Sequence, residues 1–430
     1  MSFMLLGILN AQAAGGASPY WLSFTGNNTV NARSSAIDSS DNTFSFGDAE
    51  STGAGSGDSF YLVKQDPFGA VLWQRALGGA STEAGNTIDT DSSDNVYAAG
   101  WTQSSGAGNR DFLIAKYNSS GTLQWQRTLG GSGEEYGNAV AVTPSGDIYI
   151  AGTANTGGNA TLIAKYNSSG TLQWQRRIAD VFAQSICVDS SGNAIVGMID
   201  YPKALIMKFN SGGSITWQRT LGPATGQETP NSMALDSTGA VYVAGITYTG
   251  SNTPNASLQK WDSGGTLQFQ KFLTASGSDN YYAIAIDSLD NAYAVGDTDS
   301  AGGGGNDFFI SKSNSSGTLQ WQRTLGNSEF QQAMGVSIDS LDNLIVTGLS
   351  GVYSFNSSYL AAKLPSDGSL TGSYTLGLKT YTYAASTLTD SSSSLTGATS
   401  SFTTTTPSFT SSTSSLSTSS PSFSTELVSI

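Results

Sequence analysis

The chain has 430 residues, 38% hydrophobic and only 12% charged, and its 51 glycines and Ser/Thr stretches predict an all-β protein of short strands joined by turns. A formal charge of −14 repels nucleic acid and anionic lipid headgroups, which bind through Lys/Arg clusters, and so argues against polyanion binding. No histidine is present and Cys187 is the only cysteine, which removes the usual neutral-pH general base, an intrachain disulfide and a multi-thiolate zinc site.

Residues 1–18 are apolar and uncharged, too short for the roughly 20 residues of a membrane span. They read as an anchor docked into another protein. Ala11-Gln-Ala13 would suit signal-peptide cleavage, but no Lys or Arg supplies a positive n-region. A strand-like stretch from Tyr20 to Gly26 follows, carrying Trp21.

From there one unit recurs. Its clearest strand runs from Leu123 to Gly130, alternating apolar and polar with period two. Trp73, Trp125, Trp174, Trp217, Phe269 and Trp321 occupy its aromatic slot, spaced by 52, 49, 43, 52 and 52 residues, about one propeller blade. We label this strand D. A hairpin of strands A and B follows each D strand, and B ends on one glycine per unit: Gly47, Gly100, Gly152, Gly197, Gly245, Gly296 and Gly348. Strand C ends on Lys64, Lys116, Lys165, Lys208, Lys260, Lys312 or Lys363. Seven units predict a seven-bladed β-propeller of four-stranded antiparallel blades over residues 19–377, closed so that no blade face stays bare. Trp21 favours the N-terminal strand over the rival at 369–377, which has Gly372 in the aromatic slot, as the piece completing blade seven.

The in-register basic residues, seven lysines with Arg75, Arg127, Arg176, Arg219, Arg323 and Lys271, take thirteen of the eighteen in the chain. Their stems are expected to cover apolar surface while their heads reach acids or carbonyls nearby. The Asp-x-x-x-Asn segments at 38–42, 287–291 and 339–343 fit hairpin-turn chemistry better than calcium loops. The sets Asp89, Asp91, Asp94 and Asp297, Asp299, Asp307 are expected to be solvated loop acids. Glu134 and Glu135, adjacent on an extended chain, point opposite ways and do not form a hydrolytic pair. Asn118, Asn167, Asn314 and Asn356 begin Asn-Ser-Ser, and at least three of them open C-to-D turns. No catalytic residue, metal site or cofactor is expected.

Three motifs, Asp189-Ser-Ser-Gly-Asn193, Val241-Tyr-Val-Ala-Gly245 and Asn167-Ser-Ser-Gly170, resemble the bacterial β-propeller repeat family called SBBP, over residues 20–377. That resemblance implies a scaffold with no shared catalytic residues. Residues 1–16 (MSFMLLGILNAQAAGG) resemble the N-terminal segment of tail and fibre proteins of tailed bacteriophages, which implies a virion protein.

The A–B and C–D turns repeat almost unchanged on one face of a propeller, whereas the D–A and B–C connections (78–85, 131–137, 223–230, 250–256, 276–282) vary on the other. Recognition is expected on the variable face, through Tyr136, Tyr248, Tyr281, Tyr282 and Phe330. Beyond residue 377 the chain turns Ser/Thr-rich, with Tyr381, Leu388, Leu395, Phe402, Phe409, Leu416, Phe423 and Ile430 spaced by seven. Pro407 and Pro421, the poor helix formers and a single apolar residue per seven make a coiled-coil helix weak, so residues 378–430 are expected to be an extended arm or oligomeric stalk laid against other subunits. The functional expectation is a non-enzymatic virion component, homo-oligomeric in the assembly, contacting other virion proteins through 1–18 and 378–430 and a host-surface glycan or protein through its loops. The alternative is a secreted or bacterial-surface lectin-like propeller, marked by cleavage after Ala13.

Overall fold

The computed structural model describes residues 20–25, 30–50, 57–155, 157–222, 226–248, 253–352, 356–376, 379–392, 398–399, 410–413, 417–419 and 425–429. The expected anchor at 1–18 lies outside them, as do Leu395, Phe402, Phe409, Leu416, Phe423 and Ile430. The described strands form seven antiparallel sheets, with no helix among them.

Blade 1 comprises Val30–Ile37, Thr43–Ala49, Ser59–Gln65 and Val71–Gly78 as strands A to D. Blades 2 to 6 repeat that order over 83–130, 135–179, 182–221, 227–274 and 279–326. Blade 7 takes Phe330–Ile338, Leu344–Val352 and Asn356–Leu364 from the end of the repeat and its D strand, Trp21–Thr25, from the start, with Trp21 opposite Lys363. The N-terminal strand thus closes the ring, as expected. Its rival, at Gly372–Leu376, pairs instead with Lys379–Ala385 on the outside of blade 6.

Strands B and C, in the middle of each blade, are buried along most of their length and in blade 1 along all of it, whereas D strands alternate in burial. The apolar cores accordingly sit between blades: Phe44, Phe46 and Leu62 of blade 1 share one cluster with Val96, Leu113 and Tyr117 of blade 2. Each A strand has a bulge next to the terminal glycine of strand B, as between Ala32 and Ser34 beside Gly47. A Cβ on Gly47 would stand 1.8 Å from the Asn31 carbonyl oxygen, which is why one glycine per unit is kept there.

The aromatic slot explains the spacing. The Trp73 indole donates to the Ser119 carbonyl (3.3 Å) in the C–D turn of the next blade, and Arg75 Nε donates to Gly121 there (2.7 Å). Gly121 has φ of +77°, and a Cβ on it would lie 2.9 Å from the Trp73 ring, so the turn presses a bare backbone onto the indole. Trp125, Trp174, Trp217 and Trp321 repeat the indole bond, to Ser168, Ser211, Ser263 and Ser366. Phe269 keeps only the ring contact, against Gly317. Trp21 donates to Pro67 of blade 1 at 3.1 Å, so the closing strand makes the same clamp across the seam.

The described segments of the tail are extended strands and lie on this chain's own blades rather than on other subunits. They add a fifth strand outside strand D: Lys379–Ala385 on blade 6, Thr389–Ser392 on blade 5, Ala398–Thr399 on blade 4, Thr410–Thr413 on blade 2, Ser417–Ser419 on blade 1 and Thr425–Ser429 on blade 7.

Candidate binding face and central channel

The turn face is spent on structure. All seven strand-C lysines pair with an acid of their blade's A–B turn, Lys64 to Asp38 (2.8 Å), Lys116 to Asp91 (3.8 Å), Lys208 to Asp189 (2.9 Å), Lys260 to Asp236 (3.0 Å), Lys312 to Asp287 (3.5 Å) and Lys363 to Asp339 (2.8 Å) with the residue that opens the turn, and Lys165 with Asp147 (2.9 Å), which closes a turn that Thr143 opens. Asp38 also accepts from the Ser40 and Asn42 amides and the Asn42 side chain, so turn chemistry accounts for these acids. Burial alone would raise the Asp38 carboxyl, but the bonds from Lys64 and Asn42 hold it below the usual carboxylate range. Asn118, Asn167 and Asn314 each accept two amides of their own C–D turns, whereas Asn356 begins strand C of blade 7.

Neither acidic set converges. Asp89 accepts from the Val142 amide of the next blade (2.7 Å), Asp91 holds its own turn, and Asp94 accepts from Ser39 of the preceding blade (2.9 Å). Asp297 is ringed by Asn280, Asn306 and Gln332, while Asp299 and Asp307 accept from the Ser278 and Gly303 amides. Glu134 and Glu135 do part company: Glu135 is buried and accepts from the Gly131 amide (2.8 Å), while Glu134 faces outward. Glu83 and Asp279 cap the D–A loops of their own blades in the same manner.

The loop face holds a different assembly. Strand B of blade 2 continues past Gly100 through Trp101 to Thr102, and the Trp101 ring meets Tyr136 of blade 3 edge-on at 5.9 Å. The Arg110 guanidinium lies 4.7 Å from the Trp101 ring centre and 5.1 Å from that of Tyr136. It pairs with Glu134 at 3.4 Å and donates to the Tyr136 hydroxyl, which itself donates to Glu134 at 2.9 Å. Arg110 and Glu134 keep about 29% and 33% of their side-chain surface open, so a cation, two rings and a carboxylate share one half-exposed patch between two blades. Sequence reasoning singled out Tyr136 but missed Trp101 and Arg110. The available signal was register: Trp101 lies outside the aromatic slot, and Arg110 is one of five basic residues outside the repeat.

The other expected contacts separate. Tyr248 ends strand B of blade 5 and Phe330 begins strand A of blade 7, both half-buried at the loop-face rim. Tyr281 is corrected to core: it is 2% exposed, stacks on Phe309 at 5.5 Å and shares a hydrogen bond with Ser311. Its neighbour Tyr282 sits at the strand-A bulge and lines a central cavity of about 410 Å³. The bulge residues Arg33, Asn86, Asn138, Gln184, Asn231 and Met334 line it from the other blades. Asn86, Asn138 and Asn231 donate to the next blade's strand-A carbonyls at Gly137, Ala183 and Tyr281 (2.8–2.9 Å), so much of the channel wall's polarity ties blade to blade. Asp89 keeps part of its surface open to the channel, yet loss of bulk solvent pushes it up to about 6, against bonds from the Thr90 and Val142 amides. Glu228, wholly buried in blade 5, is pushed up to about 7 by burial despite bonds from Ser257 and Gln259.

Comparison with known proteins agrees on fold. The SBBP beta-propeller repeat matches residues 269–304, and a beta-propeller domain of unknown function matches 92–123 and 143–172. No curated protein matches the chain significantly. Among solved structures, that of U3-55K covers 80% of this chain and 98% of its own at 9% identity and a TM-score of 0.55. The RRP9 WD40 repeats cover 80% and 97% at 8% identity and 0.53. A periplasmic gluconolactonase of Pseudomonas aeruginosa covers 80% and 97% at 10% identity and 0.45, too loose a likeness to bear on activity. These identities speak for the propeller alone.

Proposed function

We propose that the chain is a non-enzymatic binding scaffold whose loop face engages a surface glycan or protein, and that it serves as a tail, fibre or tip component of a tailed-phage particle. The observation that carries the binding role is the Trp101–Arg110–Tyr136–Glu134 patch. Ring edges and faces for stacking on a sugar or filling a pocket stand beside a cation and an anion able to orient hydroxyls, all on a rigid support. The virion assignment rests on the resemblance of residues 1–16, with 1–18 as the anchor into the particle. The tail at 378–430 would meet neighbouring subunits with the strand edges turned away from its own blades.

The test is adsorption of purified protein to candidate host cells and to arrayed glycans, comparing the unaltered chain with Arg110→Ala combined with Tyr136→Ala. Loss of at least tenfold in retained protein with an unchanged melting temperature is expected. Retention equal to the unaltered chain would reject the patch as the binding site.

A further inference from the structure

The described tail strands are spaced around the rim at seven residues per blade, in constant register. Ala385 lies opposite Arg323 of blade 6, Ser392 opposite Lys271 of blade 5, Thr399 opposite Arg219 of blade 4 and Thr413 opposite Arg127 of blade 2. These D-strand residues occupy one slot of the repeat, and the tail positions differ by seven, or by fourteen where two blades are crossed. In blade 1 Ser419 faces Ala76, one residue past that slot, and in blade 7 Leu427 faces Ser23, which fills the slot two residues after Trp21. The phase therefore holds at all six blades that carry a described tail strand, from blade 6 backwards to blade 7.

Geometry explains the number. Seven extended residues span about 23 Å, and seven such steps make about 160 Å, the circumference of a circle of radius about 26 Å. A compact body of roughly 360 residues has a radius of gyration of about 21 Å, equivalent to a sphere of radius about 27 Å, so a seven-residue step matches the pitch of the rim. At the two crossings whose seventh residue is described, that residue is the fastener: Tyr381 is buried among side chains of blades 6 and 7 and shares a hydrogen bond with Ser350 (3.0 Å), and Leu388 is buried with residues of blades 5 and 6. Thr and Ser between them suit a strand, and Lys379, Asp390 and Glu426 are the only charges from 379 to 429.

We propose that the rim is a strand-docking surface whose occupant is this chain's own segment 379–429, and that the segment is a belt whose final strand latches the ring. Strand 21–25 closes blade 7 and would otherwise be an edge strand, the weakest place in a closed propeller. It is instead held on both sides, by Asn356–Leu364 within and Thr425–Ser429 without. The ring opens only after the belt has peeled, and covered D-strand edges are closed to strands from other molecules.

Two experiments on the full chain test this. Deleting residues 410–416 removes one in-phase step, so the last strand falls one blade short and leaves 21–25 uncovered. Amide exchange at 21–25 is expected to rise at least tenfold while the B strands of blades 2 to 6 keep their protection, and unchanged exchange at 21–25 overturns the latch. Independently, Lys271→Cys with Ser392→Cys, in a Cys187→Ala background, is treated with a short bismaleimide. An intrachain bridge with monomer mobility is expected. A bridge between two copies shows that the tail serves a second molecule and overturns the proposal, as does failure to bridge in the folded protein.

Discussion

The turn face and the loop face of the disc are built from the same seven units and use their polar residues in opposite ways. On the turn face each lysine, turn acid and slot aromatic is committed to its own turn or the next blade: Lys363 bonds Asp339 and reaches Pro67 across the seam, and Trp125 clasps the turn at Ser168. On the loop face the repeat breaks down, and Arg110 and Glu134 combine with each other and two rings while staying half exposed. A repeat that spends its chemistry on closure leaves recognition to the places where it is broken.

The largest contrast should come from Lys363→Met. Lys363 and Asp339 keep only 5% and 1% of their side-chain surface, so removing the ammonium strands a buried carboxylate and should cost about 3–4 kcal/mol in denaturant unfolding at pH 7. Burial would raise the Asp339 carboxyl, but bonds from Lys363 and Asn343 bring it below the ordinary range. Its stabilising effect is therefore present above the unfolded value near 4 and is lost as pH falls through the folded one, so the deficit should shrink below about pH 4. A pH-independent deficit would point to lost packing instead.

Trp125→Ala comes next, at about 2–3 kcal/mol, because a half-buried ring and its bond to Ser168 are lost together. Phe269 occupies the same slot without a donor, so Trp125→Phe should retain most of that stability, and equal losses for the two variants would deny the ring contact its role.

Glu228→Gln should act in the opposite direction. A folded-state value near 7 means that the buried carboxyl favours folding while protonated and opposes it increasingly as pH rises from about 4 through 7. The amide should therefore stabilise by roughly 3 kcal/mol at pH 8 and make no difference at pH 4. Gel-stable folding with no gain at pH 8 would mean that the carboxylate is better solvated than its burial implies.

Much of the fold was legible because repetition supplies seven readings of each position. The aromatic slot proved to be an inter-blade clamp, the strand-B glycine a bulge contact and the strand-C lysine an ion pair with its own blade's A–B turn, and Trp21 identified the closing strand. The tail was harder, since a spacing of seven suggests a helical surface, and its meaning as a rim step exists only once the blades are assembled. Tyr281 and Tyr282 could not be told apart from pattern alone: the bulge at Tyr282 sends one ring into the core and the other to the channel. Trp101 and Arg110 stand outside the repeat, so no second copy reveals their role, and their meeting with Tyr136 exists only once blades 2 and 3 are packed together.

The direct test of the account is host-surface binding measured side by side for Arg110→Ala with Tyr136→Ala on the loop face and Lys116→Met on the turn face. The account predicts that the first abolishes binding without shifting the melting temperature, and that the second lowers the melting temperature while the folded fraction binds normally. Full binding by the loop-face variant, or binding lost with the turn-face variant while it remains folded, would contradict it.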